Sequence, residues 1–175
     1  MLSNRHKKGG FSLIELLIGF ALIGILTVMA VPAYQFWIQN VRIRNAAEGV
    51  LNGLQLARAE AIRRNALVHL IFETGSGWTI STIVTGTEIQ ARSESEGSES
   101  AAVTITPAGA DRITFNGMGW LATNDDGSPS ITQIDVTSAT VVGTEIRPLR
   151  VTVGAGGVMK MCDPAVAAGD PRACS

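Results

Sequence analysis

Gly9-Gly10-Phe11-Ser12-Leu13-Ile14-Glu15 opens an apolar run that continues to Val31 and decides how the chain is read. A basic leader, Arg5-His6-Lys7-Lys8, stands just before it. From Phe11 to Val31 there are 21 residues. At about 1.5 Å of rise per residue, that length crosses the hydrocarbon core of a bilayer as a helix. Its only ionisable side chain is Glu15. A carboxylate at the centre of a spanning helix costs roughly 2.5–3.5 kcal/mol and somewhat less near the end, so such a residue points to function and calls for a partner. A cut after Gly10 would supply one. Phe11 would then carry a protonated α-amine, four residues from Glu15 and on the same helix face. The cut would also place Glu15 in the first turns, where the helix dipole favours negative charge. The amine met by Glu15 is its own or that of a neighbouring copy.

Gly10-Phe11-Ser12-Leu13-Ile14-Glu15-Leu16-Leu17 resembles the class III signal of type IV pilins and type II secretion pseudopilins. The resemblance implies that a prepilin peptidase cuts after Gly10 and methylates Phe11, and that Glu15 guides docking into a filament of pilin subunits. Two other readings compete. A secretory signal would be cut near Val28-Met29-Ala30 or Val31-Pro32-Ala33. Against it, the run is long for a signal core and contains Glu15. A plain membrane anchor explains neither Gly10-Phe11 nor Glu15.

Three of the fourteen Lys and Arg residues lie in the leader, leaving eleven against fifteen Asp and Glu, a formal charge of −4 after cleavage. That balance argues against nucleic-acid binding by the whole surface. The leader's charges orient the helix with its N-terminus in the cytoplasm and the rest across the membrane; the pilin resemblance implies that this is the bacterial inner membrane and that the domain is periplasmic. Cys162 and Cys174 are the two cysteines. Outside the cytoplasm a disulfide is their natural state, and two thiols fall short of the four ligands of structural zinc.

Tyr34, Phe36 and Trp37 fall where an aromatic belt would lie. Pro32 either loosens the helix or marks its end. Beyond Gln39, the residues Val50, Leu54, Ala57 and Ala61 repeat at helical spacing, with Leu51 and Ile62 on the same side. The spacing predicts one helix from about Phe11 to Asn65. Ala57 to Asn65, with Val68, resembles the helix end of the GspH/FimT subgroup; Glu60–Arg64 reads as an i,i+4 pair on a solvated face.

Strands are predicted at 68–72, 77–84, 87–91, 102–106, 112–115, 131–136 and 145–153. Pro148 makes the last an edge or bulged strand. His69 lies on a strand face in a structural or exposed role. Arg92 to Ser100, rich in Glu and Ser, reads as an exposed, mobile loop. Asn116-Gly117-Met118-Gly119-Trp120 is a glycine-rich turn that resembles one in the same subgroup; no Gly-Lys-Ser/Thr follows it.

The Cys162-Asp163-Pro164…Asp170-Pro171-Arg172-Ala173-Cys174 tail resembles FimU-like minor pilins of type IV pili more than secretion pseudopilins. DNA-uptake members of that group carry Gly-Arg-x-Arg before the first cysteine. Here the place reads Gly157-Val158-Met159-Lys160. The basic candidates for DNA are therefore Arg147, Arg150, Lys160 and Arg172.

The expected fold is α+β: a long N-terminal helix, membrane-spanning in its first half, packed on an antiparallel β-sheet or sandwich, as the pilin resemblance also implies. The expected division is a cleaved leader (1–10), an assembly half of the helix (11–31), an amphipathic half (32–65) and a β-rich periplasmic domain with a disulfide loop (66–175). The leading function is a non-enzymatic minor pilin. A type II secretion pseudopilin and a DNA-binding pilin for natural transformation are the alternatives. No nucleophile motif or metal cluster appears, and neither cofactor nor metal is expected.

Overall fold

The computed structural model describes residues 12–174, so Gly10 and Phe11 lie outside the described residues. The chain divides into two compact units, Met1–Gln35 and Phe36–Ser175. One helix, α1, runs Leu13–Arg64 with Pro32 inside it. A proline removes a single hydrogen bond from the ladder, and here that loss does not end the helix.

In the first unit, Ser12 caps α1. The Glu15 N–H donates to Ser12 Oγ at 3.4 Å, and the Leu16 N–H to the Ser12 carbonyl at 3.2 Å. Glu15 is thus the third helical residue of a Ser-x-x-Glu start, the pattern of a capping box. The apolar side chains from Leu13 to Val28 stand exposed. Thr27, polar like Glu15, turns its hydroxyl inward and donates to the Ile23 carbonyl at 2.8 Å, which spares it a partner outside the helix.

In the second unit, α1 buries Ile43, Ala46, Ala47, Val50, Leu54, Ala57 and Ala61 completely. Ile62 does not join them and is 49% exposed. One residue past Ala61 is about 100° further round the helix, which turns Ile62 away from the sheet. Small residues let the backbone approach closely. The Trp78 ring lies over Gly53, where an added Cβ would sit 2.6 Å from Cε2, and the Arg92 guanidinium lies over Gly49. Asn65 ends the helix at φ 46°, with the Ala66 N–H donating to the Ala61 carbonyl.

Nine strands follow: β1 Val68–Phe72, β2 Trp78–Thr82, β3 Glu88–Arg92, β4 Ala101–Thr106, β5 Arg112–Phe115, β6 Leu121–Ala122, β7 Gln133–Ser138, β8 Leu149–Val153 and β9 Met159–Cys162. They form two antiparallel sheets, ordered β3-β2-β1-β5-β6 and β4-β7-β8-β9. Alternation along β1, β2, β5 and β7 sends Leu70, Ile80, Ile113 and Ile134 into a core shared with α1.

Two expectations are corrected and one strand is added. Pro148 does not mark an edge: β8 begins just after it and lies between β7 and β9, so the missing N–H falls outside the ladder. The residues before Cys162 form β9, which the short Met-Lys-Met-Cys sequence does not announce. The acidic loop is tied down: Ser76 Oγ donates to buried Ser98 Oγ at 2.7 Å, Asn45 Nδ2 to the Gly97 carbonyl at 3.2 Å, and Arg42 Nη1 to Ser100 Oγ at 2.8 Å. Serine hydroxyls, read as loop formers, act here as anchors.

Gly53→Ala should destabilise the domain by about 1–3 kcal/mol, because the added methyl displaces the Trp78 ring. Gly24→Ala, with open space around it, should leave domain unfolding unchanged. Urea denaturation of the detergent-solubilised chain, followed by circular dichroism, compares the two.

Candidate functional site

The expected processing residues, Gly10 and Phe11, lie outside the described residues; Glu15, the expected docking residue, is placed. Glu15 is exposed on the first turn of α1 among Leu13, Ile14, Leu16 and Leu17, each at least half exposed. An exposed carboxylate on an otherwise apolar helix surface is equipped to meet one cation presented by another helix.

Three of the four basic candidates, Arg150, Lys160 and Arg172, lie near the C-terminal disulfide. Cys162 and Cys174 are bonded, with Cα atoms 5.1 Å apart, and the Asp163 N–H donates to the Arg172 carbonyl at 2.8 Å beside them. Arg150 is the cross-strand partner of Cys162. It grips Asp135 with two bonds, Nε to Oδ1 at 2.6 Å and Nη2 to Oδ2 at 3.3 Å. Arg172 likewise grips Asp170, at 3.1 and 2.9 Å. The Arg172 guanidinium holds the Asp170 carboxyl down at about 2. Lys160 Nζ reaches the Ala173 carbonyl at 3.4 Å. Arg147 is exposed, and its backbone N–H donates to Asn40 Oδ1 at 2.9 Å. Two of the four cations are therefore neutralised by bidentate carboxylates, which leaves a thin basis for phosphate contacts.

Helix arginines also find partners. Arg63 and Arg64 share Glu60 at 2.6 and 2.7 Å. Hydrogen bonds from Arg63 and then Arg64 bring the Glu60 carboxyl down to about 2. Arg58 departs from the solvated face expected for it: half-buried, it donates Nε to the Gly119 carbonyl at 2.8 Å.

His69 is buried on the outward side of β1. Its Nε2 lies 2.7 Å from Ser81 Oγ, and its Nδ1 lies 3.7 Å from Asp125 Oδ1. Ser81, His69 and Asp125 stand in the order of a hydrolase relay, but 3.7 Å exceeds a hydrogen bond, so no relay is formed. Asp125 is drawn instead to Arg112, which also binds Asp111 and Asp126; the Asp111 bond leads in raising the guanidinium's pKa. Among the described residues no group of three His, Cys, Asp or Glu is placed to hold a metal ion.

Residues 46–157 match the family described as type II transport protein GspH, and residues 5–31 match the prokaryotic N-terminal methylation motif. The chain belongs to the GspH family. Its family and its N-terminal motif make it a pilin-like protein. The GspH match covers the C-terminal part of α1 and the strands up to the turn before β9.

Two fimbrial proteins are similar in part. The type IV major fimbrial protein FimA of Dichelobacter nodosus is 46% identical over 64 residues, 35% of this chain and 38% of that protein. The fimbrial protein of Moraxella nonliquefaciens is 42% identical over 56 residues, 30% of this chain and 36% of that protein. The chain matches little more than a third of either relative. Two crystal structures of the Pseudomonas aeruginosa type IV minor pilin FimU share the fold. One has a TM-score of 0.53 at 18% identity, covering 76% of this chain and 95% of FimU. The other has 0.52 at 17% identity, covering 75% and 99%.

What sequence reasoning missed is the cap. Ser12 and Glu15 stand three apart at the start of an apolar run, which is the capping-box signal itself.

Asp170 has a depressed folded-state pKa, so its pairing with Arg172 contributes above about pH 3.8 and is lost as pH falls through about 2. Asp170→Asn should flatten the acid limb of the stability curve in that window, lower stability at pH 7 where the pairing is fully formed, and match the wild type below about pH 2. Cys174→Ser should cost roughly 3 kcal/mol on the loop-entropy account, and the wild type should lose the same on reduction. Unfolding curves against pH, with and without dithiothreitol, measure both.

Proposed function

We propose that this chain is a minor pilin of a type IV pilus: inserted in the inner membrane with its N-terminus in the cytoplasm, cut after Gly10, methylated at Phe11, and docked through Glu15. The observation that carries the reading is Glu15, alone among ionisable side chains in the apolar run and exposed on the first turn of a capped helix. Membership of the pilin-like family and the methylation-motif match imply a prepilin peptidase and other pilin subunits as partners. Helices packed in lipid gain little from hydrophobicity, so a single ion pair sets the register between neighbours. The pairing cation is the Phe11 amine of the same or an adjacent subunit. The Cys162–Cys174 tail, with its Asp-Pro pattern, supports the pilus over secretion.

The rival reading is a type II secretion pseudopilin, favoured by the description of the matched family. Deleting the gene separates them. Loss of surface pili with normal secretion supports the pilus; loss of secretion with normal pili supports the rival. DNA binding by Arg147, Arg150, Lys160 and Arg172 is a further reading. It requires a steeply salt-dependent gel shift at micromolar protein, and the pairing of Arg150 and Arg172 predicts none.

Glu15→Ala should leave membrane insertion intact and remove the protein from sheared filaments. Immunoblots of membrane and filament fractions read both, and normal incorporation of the variant would sink the docking role.

A further inference from the structure

A groove of about 530 Å³ runs between α1 and the turn that precedes β9, lined by Gln55, Arg58, Ala59, Ile62, Val158 and Met159. Arg58 stands in it as a fixed head. Its Nε bond to the Gly119 carbonyl holds the guanidinium in a slot between two turns. The slot exists because both turns carry glycine there: a Cβ at Gly119 would lie 3.0 Å from Nε, and one at Gly157 3.2 Å. Both glycines also have positive φ, 77° and 73°, which side chains resist. Among the described residues, Arg58 Nη1 and Nη2 have no partner.

The rim around that head is apolar. Ile62 is 49% exposed and Val158 68%. Met118 and Trp120, which flank Gly119, are 68% and 58% exposed. The backbone of their turn is fixed by its own hydrogen bonds. Asn116 Oδ1 accepts from the N–H groups of Met118 and Trp120 at 3.0 and 3.1 Å, and the Asn116 N–H donates to the Trp120 carbonyl at 2.9 Å. Trp, Met and Arg are the residue types enriched at the centres of protein interfaces, and a rigid aromatic anchor loses little entropy on docking.

We propose that this face, from Arg58 and Ile62 across Met118, Trp120 and Val158, docks an adjacent pilin-type subunit through an apolar stretch bearing one carboxylate. The proposal rests on the filament-subunit reading above. Charge complementarity chooses the occupant: the unpartnered end of Arg58 takes a carboxylate, and the apolar rim takes the side chains beside it. A nucleic acid would need a row of cations, and an apolar rim around one half-buried guanidinium offers it little.

The test uses the full-length chain in cells that assemble filaments. Met118→Asp and Val158→Asp change exposed positions and should leave membrane levels and the disulfide unchanged. The amount of either variant in sheared filaments should fall about tenfold or more, as loss of a central interface contact entails. p-Benzoylphenylalanine at position 118 should cross-link to a subunit that carries the N-terminal methylation motif. Wild-type incorporation of both Asp variants overturns the proposal, and so does a cross-link that goes to lipid or to DNA. Glu15→Ala in the same cells separates the two levels. If even the wild type is absent from filaments, the filament reading fails. If the wild type is present, Glu15→Ala is lost and Val158→Asp is retained in full, only the docking face fails.

Discussion

Twelve large apolar side chains between Leu13 and Val31 stand exposed on one helix, with a single carboxylate among them. Each is worth about 1.5–3 kcal/mol when removed from water, so a segment of this kind is stable only in lipid or against other protein. That constraint orders the rest. On the proposed filament reading, it calls for a membrane before assembly and neighbouring helices afterwards. On the same reading Glu15 is the group that distinguishes a correct neighbour from bulk lipid, because only a paired charge recovers its desolvation cost.

The second unit solves a different problem with the same helix. Its α1 residues must lie flat against a sheet, and the sequence supplies Ala46, Ala47, Gly49, Gly53, Ala57 and Ala61 where bulk would hold the two apart. Trp78 and Arg92 fill the room those glycines leave. The outer face of the same helix is then free to carry Arg58 and Ile62, which meet the turns at Gly119 and Gly157 rather than the core.

Much of this was legible in the chain because it depends on local chemistry. The apolar run, its carboxylate, the 3.6-residue repeat from Val50 to Ala61 and the alternating strands β1, β2, β5 and β7 all report short-range periodicity. What escaped depends on long-range partners. The Arg92–Ser100 segment reads as mobile because Glu and Ser favour solvent, yet Ser98 meets Ser76 and Gly97 meets Asn45. Strand β9 has no turn residue inside it and is recognised only by its pairing with β8. Arg58 and Ile62 look like neighbouring helix positions until the Gly119 turn shows which of them caps a loop. Of the basic residues, sequence names Arg150 and Arg172 as free charges, and only the fold reveals Asp135 and Asp170 against them.

The central claim is that Gly10–Glu15 is a processing and docking signal for an assembly helix rather than a disposable leader or a plain anchor. Intact-mass and N-terminal peptide mass spectrometry of the chain recovered from sheared filaments tests it most directly. The account predicts a protein that begins at Phe11 with one added methyl group on its amine. A chain that begins at Met1, or one cut beyond Ala30 with the apolar run removed, would contradict it.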